Sequence, residues 1–60
     1  MEIVKTLISI KGKLLGEVFE TVNGYGFFCH LTETEKDGFA DVESAYDALL
    51  DVHYEFVGNQ

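Results

Sequence analysis

Glu43, Asp47 and Asp51 fall four residues apart in a stretch with helical apolar spacing, and Glu55 follows at the same interval if the helix continues. Residues at that spacing share one side of an α-helix, so these carboxylates form a row about 6 Å apart at a rise of ~1.5 Å per residue. No lysine is interleaved to relieve their repulsion. Such a row is either an ordinary solvated face or a surface offered to a basic groove. Glu33, Glu35 and Asp37 precede it in a polar stretch and would add to the same charge. Duplex DNA carries about one charge per 1.7 Å of axis, so one helix is a sparse mimic of it and two helices in a dimer a better one.

Other residues with chemical potential are poorly placed to use it. Glu33-x-Glu35-x-Asp37-Gly38 matches the opening of an EF-hand loop, but the twelfth position is Ser44 instead of a bidentate glutamate, and a strand precedes it. His30 and His53 are far apart and neither begins a ligand motif, so no metal and no cofactor is expected. Cys29 and His30 are neighbours in a predicted strand and point to opposite faces, which keeps the imidazole from activating the thiol. Phosphate loops, a nucleophile elbow and carboxylates in apolar pockets are all missing. The chain reads as a non-enzyme.

The elements that would position these residues start from a hairpin. Asn23-Gly24 lies between two alternating runs and predicts a two-residue turn, because both residues tolerate positive φ. That register sets Val22 against Tyr25, Glu20 against Phe27, Val18 against Cys29, and Glu17 against His30 on the other side. Glu2 to Ile10 reads as a preceding strand, joined through a turn at Gly12-Lys13. One face of the meander then carries Ile3, Leu7, Val18, Tyr25, Phe27 and Cys29, and the other Val4, Ile8, Phe19 and Phe28. Both are apolar, so something is expected to cover each. Thr34 to Gly38 reads as a connecting loop or the tip of a second hairpin. Asp41 is placed to cap a helix from Val42 to about Val52, after which Val52, Tyr54 and Phe56 fit either a continued helix or a short terminal strand.

Composition narrows the partners. A chain of 60 residues has room for one domain and one small core, and is marginal without a staple. Cys29 is the only cysteine, which excludes an internal disulfide, suits a reducing compartment such as the cytoplasm, and leaves self-association as the expected staple. No stretch has the length of a membrane span, so no membrane partner is expected. Residues 1 to 16 carry a net +2 and residues 17 to 60 a net −9, for a formal −7. That balance repels nucleic acid and attracts basic surfaces.

Two resemblances bear on function. Asn23-Gly24-Tyr25-Gly26-Phe27-Phe28-Cys29-His30 resembles the octapeptide of RNA-recognition motif and, more loosely, cold-shock domains, with Asn23 in place of the basic residue and His30 in place of the last aromatic. The resemblance implies that Tyr25 and Phe27 stack bases and that the helix covers the Phe28 face, leaving the face of Leu7, Val18, Tyr25 and Phe27 open for association. In size, charge and simple topology the chain also resembles the small acidic inhibitors that phages encode against host defence, anti-CRISPR proteins among them. The expected architecture is α+β, a three-stranded antiparallel β-meander followed by one C-terminal helix. The expected function is inhibition by binding a basic host protein or nucleoprotein complex, as a homodimer, through Glu43, Asp47, Asp51, Glu33, Glu35 and Asp37. The alternatives are a single-stranded RNA binder using Tyr25 and Phe27, or a small structural subunit of a larger assembly.

Overall fold

The computed structural model describes residues 2–58. Four strands, β1 (Glu2–Ile8), β2 (Leu14–Thr21), β3 (Gly24–Cys29) and β4 (Thr34–Phe39), form one antiparallel sheet in chain order, followed by α1 (Val42–Gly58). The α+β class and the C-terminal helix agree with the sequence. The strand count does not: the polar stretch 34–39 is a full fourth strand, and Val52 to Phe56 continue the helix instead of forming a strand.

The β2–β3 turn lies one residue earlier than the Asn23-Gly24 pair suggests. Thr21 pairs with Gly24, so Val22 and Asn23 are the two loop residues, and Val18 faces Phe27 instead of Cys29. Moving a two-residue turn by one position changes the pairing by two, which leaves every side chain on its expected face. Local bonds hold the turn there. The Asn23 backbone N–H donates to Thr21 Oγ1 at 3.1 Å, while Gly24 takes φ 120° and lets the Phe39 carbonyl approach to 2.4 Å from where a β-carbon would stand. The β1–β2 connection is also longer than two residues. Ser9 closes it with its backbone N–H on the Lys13 carbonyl at 2.8 Å, and its hydroxyl accepts from the Lys11 and Lys13 N–H groups. Between Ile3 and Lys5 the register slips, which moves Ile3 opposite Phe19 and off the face expected for it.

The helix covers the face opposite to the one expected. Val18, Phe27, Cys29, Ala45 and Leu49 are fully buried together, with Leu7, Tyr25, Phe39, Val42 and Tyr46 packed around them. Charge explains the choice. The other face carries the Glu17 carboxylate and the His30 imidazole, 3.5 Å apart, and burying them beneath a helix would desolvate both polar groups. The covered face instead offers Gly16 as a seat, where a β-carbon would come within 2.7 Å of a Leu49 methyl. Asp41 caps the helix as predicted, its carboxylate accepting from the Ser44 N–H at 2.8 Å.

Candidate functional site

The acidic helix surface is built by the same residues that bury the opposite side. Ala45, Leu49 and His53 point into the sheet, so Glu43, Asp47 and Asp51, rotated away from them, are exposed. Because α1 runs to Gly58, Glu55 joins them as a fourth exposed acid. The row spans twelve residues, about 18 Å at ~1.5 Å per residue. Neither Lys nor Arg occurs in α1, whose last turn is without a basic residue to balance the helix dipole.

Two of the three loop acids, Glu35 and Asp37, do not join that row. Glu35 pairs with Phe28 and lies on the sheet face away from the helix. Asp37 is tied inward: its carboxylate accepts from the Thr21 hydroxyl at 2.6 Å, from the Asn23 side-chain amide at 3.2 Å and from the Gly38 N–H at 2.6 Å. The Thr21 bond is the chief reason its pKa falls below the ordinary 3.8; desolvation, the next largest influence, opposes it, and the Gly38 and Asn23 bonds add smaller downward effects. Asp37 is therefore a brace between β4 and the β2–β3 turn. Glu33 closes the β3–β4 turn with φ 55° and is exposed. That turn lies beside the helix C-terminus, where Thr32, Val52, Glu55 and Phe56 line a shallow groove of about 260 Å³. Sequence reasoning missed the division because it read Thr34 to Gly38 as a connecting loop or the tip of a second hairpin and grouped its acids with Glu33.

The expected association face is not a surface. Val18 and Phe27 have no exposure, Leu7 and Tyr25 are packed beside them under the helix, and the Phe27 ring lies 5.9 Å from that of Phe39. Phe27 is thus core, with no room for a base to stack on it. The family-like octapeptide forms a hairpin strand whose aromatic alternation serves packing. Glu17 and His30 face outward as expected, although Glu17 is directly opposite Phe28 and meets His30 along a diagonal.

No family model, curated protein or solved structure matches this chain. Among the described residues, no three of His, Cys, Asp and Glu lie close enough to hold a metal ion, and no helix is long and apolar enough to cross a membrane. Cys29 is a free thiol buried in the core. His53 lies nine-tenths buried on the inner helix face, and its Nδ1 has no hydrogen-bond partner. Its ring meets that of Tyr54 edge-on at 5.2 Å. In the sequence the alternation of Val52, Tyr54 and Phe56 competes with the helical stripe that His53 and Phe56 extend, and the helix, with His53 four residues after Leu49, is the alternative that forms.

Proposed function

We propose that this chain is a non-enzymatic acidic binding module that occupies a basic, nucleic-acid-binding site on a partner protein. The observation that carries the reading is the continuous exposed row Glu43, Asp47, Asp51 and Glu55 on a helix without Lys or Arg. Opposing charges across an interface raise the encounter rate and set the docking orientation, which suits a small inhibitor that competes with nucleic acid. In kind it resembles the small acidic inhibitors phages direct at host defence, a likeness of size, charge and topology. Glu35 and Asp37, drawn away from the row, are left out of the contact surface; Glu33, beside the helix C-terminus, extends it.

Charge reversal tests the reading. In nuclease-treated lysate, the parent chain should retain a nucleic-acid-binding protein that added duplex DNA displaces and moderate salt releases, because exposed charges are screened over about 10 Å at 0.1 M. The Glu43→Lys/Asp47→Lys/Asp51→Lys variant should fold normally and retain none of it, since exposed substitutions change stability by roughly 0.5 kcal/mol or less. Undiminished, salt-insensitive capture by the reversed variant would remove the acidic row from the function.

A further inference from the structure

The sheet ends in two edges that are treated very differently. β4 is protected: it carries Glu35, Lys36 and Asp37, and its pairing slips beside Gly38, whose φ is 91°. Charged side chains and bulges are the usual means of keeping a second strand from docking on an edge. On β1 the protection is thin. It is seven residues long and its pairing slips near each end, between Ile3 and Lys5 and between Leu7 and Ile8, but Glu2 and Lys5 are its only charged side chains and its outer side has no partner among the described residues. Of the nine large apolar side chains exposed among the described residues, five belong to β1, the turn after it or the start of β2: Ile3, Val4, Ile8, Ile10 and Leu14. That concentration singles out one edge.

We propose that β1 pairs antiparallel with β1 of a second copy of this chain, making a closed dimer with a continuous eight-stranded sheet. Charge selects this occupant. The chain carries −7, and both the outer helix surface and the β4 edge would repel another copy, whereas β1 itself holds one acid, Glu2, and one base, Lys5, so two copies meet there without net repulsion. Two copies can approach there with their acidic surfaces held apart. A two-fold axis perpendicular to the sheet requires directly opposed residues to share a face, so the axis passes through a residue pair.

The register centred on Thr6 satisfies the side chains on both faces. It sets Thr6 against Thr6, Val4 against Ile8 on the open face, and Lys5 against Leu7 on the helix face. Thr–Thr and paired β-branched residues are favourable cross-strand neighbours. The two lysines are staggered instead of opposed, and each ammonium already rests 4.4 Å from the centre of its own Tyr46 ring. At the ends, Glu2 lies toward the turn between Ser9 and Lys13 of the second copy. Both helices lie over β2 and β3 on one side, so their axes stand roughly 19 Å apart, four strand spacings of about 4.8 Å. The association does not rest on the acidic-row reading, because it is measured with the chain alone.

Sedimentation from micromolar to millimolar concentration should show a monomer–dimer equilibrium, and Val4→Lys should move its midpoint at least tenfold upward with an unchanged circular dichroism spectrum. Register is read by cross-linking. Directly opposed residues stand at disulfide distance, roughly 4.5–5.5 Å between Cα atoms, so Thr6→Cys should form a disulfide-linked dimer under mild oxidation. Lys5→Cys, opposed to Leu7, should not, and the buried Cys29 does not compete. A parent that stays monomeric at millimolar concentration, a Val4→Lys protein that dimerises as the parent does, or equal cross-linking at positions 5 and 6 would each overturn the proposal.

Discussion

The two faces of this sheet carry comparable apolar material, yet only one became the core. Beneath the helix, Val18, Phe27 and Cys29 have no exposure at all. On the other face Phe28 remains half-buried, its ring meeting His30 edge-on at 4.8 Å. Phe19 is only 4% exposed there because it lies across Gly26, toward β4. The difference between the faces is charge and relief more than hydrophobicity. Glu17 and His30 keep the open face wet, while Gly16 makes a hollow on the covered face that a leucine methyl fills. A helix chooses the face where it strands no ion, because an unpaired buried charge is far more destabilising than one more buried methyl is stabilising.

Adjacent phenylalanines give the sharpest way to break that comparison. Phe27→Ala should lower stability by about 3–5 kcal/mol, the range for emptying a packed aromatic site, and is expected to unfold a domain this small. Phe28→Ala, one residue along and half-exposed, should lower it by only about 1–2 kcal/mol. Denaturant melts of the two variants measure the difference directly. Equal losses would mean that the helix does not distinguish the faces.

A second pair probes the hollow. Gly16→Val would drive a side chain into Leu49 and the Phe28 carbonyl, 2.7 and 2.8 Å from the added β-carbon, and should destabilise by about 1–3 kcal/mol through overpacking. Glu17→Gln, on the opposite face, should change stability by less than about 1 kcal/mol, as expected for a solvent-facing carboxylate beside an exposed imidazole. If Gly16→Val is neutral, the helix is not seated on that strand.

The smallest expected effect concerns the acids that hold the ends of the covered side. Asp37 and Asp41 both titrate below the ordinary 3.8 in the folded chain, Asp37 mainly through Thr21 and Asp41 mainly through the Ser44 N–H, assisted by the Ser44 hydroxyl. A folded-state pKa lowered in this way contributes stability that is present above the unfolded value and lost as pH falls through the folded one. Relief of the general negative charge acts in the opposite direction over the same range. The Asp37→Asn/Asp41→Asn variant should therefore lose less stability than the parent as the pH is lowered through about 4, read as the difference between their thermal melts. Parallel curves would show that the two braces carry no pH dependence.

Much of this fold is written in local sequence. Alternation set the side-chain faces of β2 and β3, Asp41 and the spacing of Ala45 and Leu49 set the helix start and its inner side, and the separation of Glu43, Asp47 and Asp51 set the exposed acidic row. These features depend on residues within a few positions of each other, where strand and helix periodicity are decisive. The outward position of Glu17 and His30 was equally legible, and it held the clue to which face the helix would avoid.

The remainder required long-range contacts. Thr34–Phe39 has the composition of a loop, and becomes a strand because β3 offers an unpaired edge and Phe39 anchors it against Phe27. The β2–β3 register is decided with help from Asp37 on β4, which holds Thr21 and Asn23 in the turn. No reading confined to the hairpin contains that carboxylate. Helix placement was likewise undetermined by pattern, since two apolar faces satisfy periodicity equally well; the desolvation of Glu17 and His30 and the space above one glycine separated them. Sequence fixes what each segment can bury, whereas the choice between two competent surfaces belongs to the assembled chain, where charges and hollows from different strands meet.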